Sequence, residues 1–219
     1  MKEIDLQSWN RRSHYELFGS YLEPCFKIDI RLDVTKLVLN KKKFGGLFLP
    51  FLYLLMRASN QYQGMRLRTV DDKVIDYERV HPSFTIDLPD GNFAFCRADY
   101  TEDYGEFYKN ARKSVEQAKL SIEQGDKAHF ETNNCADLIY VSCLPWIDFV
   151  SVSNPLPYTD KLSMSIPRMN WGKFAKVQDR YETTLSVTFN HALMDGREAS
   201  YMLLYLEELL RDAEKYLTR

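Results

Sequence analysis

The stretch TTLSVTFNHALMDGREAS, residues 183–200, decides how this chain is read. Leu185, Val187 and Phe189 alternate with polar neighbours, and Thr184, Val187 and Thr188 are β-branched. Successive side chains of a strand point to opposite faces, so this pattern predicts a half-buried strand. The alternation stops at Asn190. His191 follows, then Asp195-Gly196, then a segment predicted to be helical over 198–217, with Tyr201, Leu204, Tyr205 and Leu209 at helical spacing. A strand therefore passes through a tight turn into a helix. A histidine and an aspartate in a turn held by two rigid elements are well placed for chemistry.

Upstream, CFKIDIRLD (25–33) alternates strictly, with Phe26, Ile28, Ile30 and Leu32 on one face and Lys27, Asp29, Arg31 and Asp33 on the other. A short helix is predicted over 9–17, capped by Ser8 and ending near Gly19. Asp33-Val34-Thr35 opens a helical turn, and Gly45-Gly46 breaks the chain. Residues 47–61 are apolar almost all round and predict a buried helix with Pro50 in its first turn. Residues 65–68 and 74–77 flank Asp71-Asp72 as a hairpin. Strands at 83–88 and 93–97 flank the turn Pro89-Asp90-Gly91-Asn92. An amphipathic helix over 104–124 carries Phe107, Ala111, Val115, Ala118 and Ile122 on its apolar side. A strand over 136–142 runs into Cys143-Leu144-Pro145-Trp146, with a continuation over 149–153 and a further strand within 166–174. About four helices against seven or eight strands predict an α/β (α+β) two-layer sandwich, a mixed sheet with packed helices. Without repeats, low-complexity tracts or linkers, residues 1–219 read as one domain.

The 29 Lys and Arg against 31 Asp and Glu give a net charge of −2, which argues against a nucleic-acid surface. The run Lys41-Lys42-Lys43 is short and reads as a solvated loop. The start of the chain has no apolar signal region, and the apolar run 47–56 is shorter than the roughly 20 residues a membrane span needs. The four cysteines form no C-x-x-C pair and read as free thiols of a cytoplasmic protein.

His191 and Asp195 are four apart, a spacing that two metal ligands on a helix would share. No third ligand is near, and zinc takes three or four, so no metal is expected. His81 precedes a proline in a loop, His14 lies on the first helix, and His129 sits in a polar connection. There is no G-x-S-x-G elbow, no G-x-G-x-x-G and no P-loop. Cys143 has no identified base and reads as a structural thiol. The residues alone leave His191 open as a packed turn histidine or a functional one. Ser142 is equally a small polar residue ending a buried strand.

The motif NHALMDG (190–196) is similar to the H-H-x-x-x-D-G of chloramphenicol acetyltransferases and, in related form, of dihydrolipoamide acyltransferase cores. WNRRSHY (9–15), DYERVHPSFT (76–85), SCLPW (142–146) and WGKF (171–174) resemble the same family in the same order. The resemblance covers nearly the whole chain. It implies an enzyme that moves an acetyl group from acetyl-CoA to a hydroxyl of chloramphenicol or a similar acceptor without an acyl-enzyme. It also implies a homotrimer with active sites between subunits.

His191 matches the family's general base. An imidazole, with an ordinary pKa of about 6.5, suits that task near neutral pH. Ser142 matches the donor to the thioester oxyanion. Asp195 and Arg11 match a buried ion pair that shapes the site; breaking such a pair would cost about 3–5 kcal/mol. Gly196 fits a turn with unusual dihedrals or close packing. Asn170 stands where the family has a threonine that binds the intermediate through water, and Asn190 where the first histidine is common. Phe18, Leu22 and Phe93 align with acceptor-pocket positions. Phe95 replaces a small residue, and Asn154 falls near an apolar position. Trp146, Lys173 and Phe174 are the coenzyme A candidates. These departures keep open an acyltransferase for another hydroxyl or thiol acceptor, or a non-catalytic ligand-binding homologue.

Overall fold

The structure is a computed structural model whose described residues are 1–89, 91–123 and 135–218. The turn residue Asp90, the helix end Gln124, His129 and the side chain of Ile122 lie outside them. In chain order the elements are β1 (Lys2–Glu3), α1 (Arg12–Gly19), β2 (Cys25–Asp33), α2 (Thr35–Leu39), α3 (Lys41–Phe44), α4 (Phe48–Gln61), α5 (Gln63–Arg66), β3 (Leu67–Val70), β4 (Lys73–Asp76), β5 (His81–Asp87), β6 (Phe93–Arg97), α6 (Tyr104–Glu123), β7 (Leu138–Leu144), α7 (Lys161–Ser165), β8 (Arg168–Gly172), β9 (Ala175–Val177), β10 (Arg180–Asn190), α8 (Gly196–Arg211) and α9 (Ala213–Tyr216).

A seven-stranded mixed sheet has the order β2-β10-β8-β7-β5-β6, with β9 also paired to β10. β7 runs parallel to β5 and β8, while β10 pairs antiparallel with β2 from Cys25↔Asn190 to Asp33↔Glu182. β1, β4 and β3 form a second, small sheet. Its turn puts Asp71 and Asp72 at φ 48° and 61°, a conformation that short polar side chains tolerate best. One face of the large sheet (Leu32, Phe84, Val141, Met169, Trp171, Leu185, Val187) packs in one core with α4, α6 and α8. This is the expected mixed α/β architecture. Among the described residues, no helix is long and apolar enough to cross a membrane.

The other sheet face is polar, and here the structure departs from the expected half-buried strand. Thr184, Ser186, Thr188 and Asn190 of β10 are buried, as well as its apolar side. The cause is the segment 145–157, which crosses this face. Arg31 bonds Asp148 at 2.5 Å, and the Lys27 ammonium reaches Ser151 Oγ and the Val152 carbonyl. A Cβ on Gly172 would meet the Ile147 carbonyl oxygen at 2.9 Å, so glycine there lets the segment close onto β8. Residues 149–153 are therefore not a strand: side chains, not a backbone ladder, hold them.

Other expectations shift for local reasons. α1 starts at Arg12, because the Ser8 hydroxyl donates to Asp5 instead of capping the helix. His81 opens β5 rather than lying in a loop, and its Nδ1 accepts the Tyr100 N–H at 2.9 Å. Gly196 has ordinary helical backbone with open space around it, so neither a strained turn nor close packing demands a glycine. The buried stripe of α8 is Ala199, Met202, Leu203, Leu206, Leu209 and Leu210; Tyr201 and Leu204 face outward.

Candidate active site

His191 sits where β10 gives way to α8. Its N–H donates to the Pro24 carbonyl at 2.7 Å, and its own carbonyl accepts from Arg11 Nη2 at 2.7 Å. Arg11 Nε also donates to the Ala192 carbonyl at 3.2 Å, and Nη1 to Asp195 Oδ2 at 2.9 Å. One guanidinium thus fixes three acceptors of the turn. Phe18 lies flat against the imidazole, with ring centroids 3.8 Å apart and planes 8° apart, and Phe26 closes a second side at 4.9 Å. Nδ1 is buried without a hydrogen-bond partner.

Asp195 caps α8, its Oδ1 accepting the Arg197 and Glu198 N–H groups at 3.0 Å each. The Glu198 N–H, together with the Arg11 guanidinium, holds its carboxyl below the ordinary range. Its side chain is nevertheless 46 % exposed, so the pair with Arg11 is not the buried one expected, and the full penalty for breaking a buried pair does not apply.

Ser142 lies on the polar face of β7. Directly opposed residues share a face, so the register places Asp29, Ser186, Asn170 and Ser142 in one row across four strands. Ser186 donates to Asp29. Asn170 Nδ2 donates to Asn154 Oδ1 at 2.6 Å, and Asn154 Nδ2 donates back to Asn170 Oδ1 at 3.2 Å. Ser142 lines a cavity of about 400 Å³ with Thr85, Phe95, Asn154, Asp160 and Ser163.

Lys173 and Phe174 line a neighbouring cavity of about 390 Å³ with Phe48, Pro145 and Trp171. Thr85 belongs to both linings, so the two cavities are neighbours along β5. Trp146 lines neither and is 68 % exposed, next to Pro145. Cys143 faces the opposite way from Ser142, and burial pushes its thiol up to about 12, far from a thiolate near neutral pH. Among the described residues no group of three His, Cys, Asp or Glu side chains is arranged for a metal ion.

The sequence-predicted residues thus fall into three places. His191, Phe18, Arg11 and Asp195 form one corner. Leu22, 77 % exposed, lines a cavity of about 670 Å³ beside that corner with Asn190 and Ala192. Ser142, Phe95 and Asn170 form the second place, with Phe93 edge-on to Phe95 at 5.5 Å but outside the lining. Lys173 and Phe174 form the third. The Leu22 and Ser142 cavities share no residue; Tyr158, Lys161 and Met164 line one, and Pro157, Asp160 and Ser163 the other, so α7 and the residues before it divide them. Sequence reasoning missed Phe26, Thr85, Asp160 and Ser163. Only the inward side of the alternation at Phe26 carried a signal.

The chloramphenicol acetyltransferase profile matches residues 1–207. A chloramphenicol acetyltransferase of Bacillus pumilus is 28 % identical over 99 % of this chain and 96 % of its own length. Chloramphenicol acetyltransferase 3 of Escherichia coli is 27 % identical over 94 % of this chain and 95 % of its own. A solved chloramphenicol acetyltransferase shares the fold at TM-score 0.80 and 23 % identity, over 95 % of this chain and all of that one (100 %). With the family model spanning residues 1–207 and relatives matching over nearly their full length, this chain belongs to the chloramphenicol acetyltransferase family.

Proposed function

We propose that this protein transfers an acetyl group from acetyl-CoA to a hydroxyl of chloramphenicol or a similar acceptor. His191 Nε2 takes the hydroxyl proton as the acceptor oxygen bonds to the thioester carbonyl carbon. The oxyanion that forms accepts a hydrogen bond from the Ser142 hydroxyl. When the tetrahedral species collapses, the carbon–sulfur bond breaks and the thiolate takes the proton from the imidazolium. The products are an acetyl ester and free coenzyme A. The adjacency of the Ser142 and Lys173 cavities, which share Thr85, favours direct transfer, with acceptor on one side and acyl donor on the other. Lys173, Phe174 and the nearby Trp146 are the groups assigned to coenzyme A.

The observation that carries the reading is the division of the site residues between separate surfaces. A base so firmly fixed, in a different place from its oxyanion donor, favours a site completed by a second copy. Head-to-tail contacts of this kind use two different patches and close into a ring, here a homotrimer. Exposed apolar side chains near both places (Leu17, Tyr21 and Leu22; Trp146, Ile147 and Val150) support such an assembly. The four free thiols favour a cytoplasmic setting, and we read residues 1–219 as one domain.

The test is thiol release from acetyl-CoA, with and without chloramphenicol, in the wild type and His191→Ala, with sedimentation of both. Acceptor-dependent release that vanishes in the variant, from a trimer, supports the proposal. Equal rates in the two proteins, or no release with any acceptor, would overturn the chemistry, and an active monomer would overturn the shared site. A second reading, another acceptor, is favoured by the paired amides beside Ser142.

A further inference from the structure

We propose that Asn154 and Asn170 select the acceptor of this enzyme, and that they favour a polyhydroxylated alcohol, a sugar or polyol, over chloramphenicol. This rests on the reading of the Ser142 cavity as the acceptor site. A carboxamide has two N–H donors and two lone pairs on its oxygen. The reciprocal pair uses one of each on both residues. Asn170 is only 3 % exposed, whereas Asn154 is half-buried and lines the cavity. The remaining donor and acceptor of Asn154 are therefore the ones a ligand meets. Adjacent strands lie about 4.8 Å apart, so Asn170, opposite Ser142 in register, holds this amide beside the serine hydroxyl.

The rest of the wall has matching chemistry. Ser83, Thr85 and Ser163 contribute hydroxyls and Phe95 an aromatic ring. A sugar or polyol combines a face of C–H groups, suited to an aromatic ring, with a rim of hydroxyls that both donate and accept. Chloramphenicol also carries two hydroxyls and an amide, but most of its surface is a nitrophenyl ring and a dichloromethyl group, and neither of these donates a strong hydrogen bond. Placed against Asn154, either strips water from the amide and returns no donor, which penalises binding.

The test compares the wild type with the Asn154→Leu/Asn170→Thr double variant, which removes both amides together so that neither is left unpaired. Chloramphenicol affinity is measured by calorimetry. Thiol release from acetyl-CoA is measured with glycerol, glucose and N-acetylglucosamine against chloramphenicol. The double variant is expected to bind chloramphenicol at least about tenfold more tightly. Its kcat/KM ratio of the best polyol to chloramphenicol is expected to fall at least about tenfold. Unchanged affinity and an unchanged ratio in a variant that melts like the wild type would overturn the inference. If no acceptor supports release in the wild type, acetyl transfer fails as the function, and the affinity measurement still decides the role of the amides. If the double variant does not fold, Asn154→Ser, which removes the cavity-facing amide and keeps a small polar group, is read in the same two ways.

Discussion

The His191 corner and the Ser142 wall are held by different kinds of bond. At the corner, backbone groups do most of the work: Arg11 grips the carbonyls of residues 191 and 192, the His191 N–H bonds the Pro24 carbonyl, and the Met194 N–H bonds the Asn190 carbonyl. At the wall, side chains hold side chains: Asn154 to Asn170, Lys27 to Ser151, Arg31 to Asp148. Carbonyls are present whatever the sequence, so one arginine fixes His191 and little else can replace it. Side-chain pairs can be exchanged two at a time. The lesson is that His191 is placed by the path of the chain, while the Ser142 wall can be recut without moving it.

This contrast can be broken or sharpened by experiment. The largest effect is expected from His191→Ala, a loss of about 10³-fold in thiol release with the melting temperature preserved; a loss below tenfold would show that the corner holds no base. Ser142→Ala is expected to lower kcat by about 10²-fold and leave the acceptor KM near its wild-type value. Arg11→Ala removes three partly buried hydrogen bonds and is expected to cost about 2 kcal/mol in denaturant unfolding. Removing both members of the Asn154–Asn170 pair should cost less than about 1 kcal/mol, because no buried partner is left unsatisfied. Equal costs would erase the distinction between clamp and exchangeable pair.

The smallest effect concerns pH. The Asp195 carboxyl is held below its unfolded value, so its stabilisation is complete above about pH 4 and is lost as pH falls through the folded value. Asp195→Asn should flatten the acid limb of the stability curve below that pH and change little at pH 7, since asparagine also caps helices.

Alternation alone made much of the fold legible. The predicted strand at 25–33 coincides with β2, and the all-round apolar stretch is buried in α4, because both patterns follow directly from side-chain geometry. Burial of the second face of β10 was not legible, since it depends on a segment that arrives from elsewhere and is tied down by Lys27 and Arg31. The outward Tyr201 and Leu204 show that apolar residues at helical spacing need not mark the buried stripe. In the site, His191 stood out through its motif, and Ser142 only through the family resemblance. The bond between Asn154 and Asn170 is invisible in sequence. It joins residues sixteen apart through the register of β8, and both looked only like separate departures from a family pattern.

The ladder between β2 and β10 has a consequence in time. Its two strands are about 150 residues apart in the chain, so β2 leaves the ribosome long before its partner exists. At about 5–20 residues per second, it waits on the order of ten to thirty seconds with its edge open. During that wait a flat apolar strand would recruit other nascent chains. Lys27 and Arg31, which later tie down the crossing segment, and Asp29 between them first keep this edge from pairing with strangers.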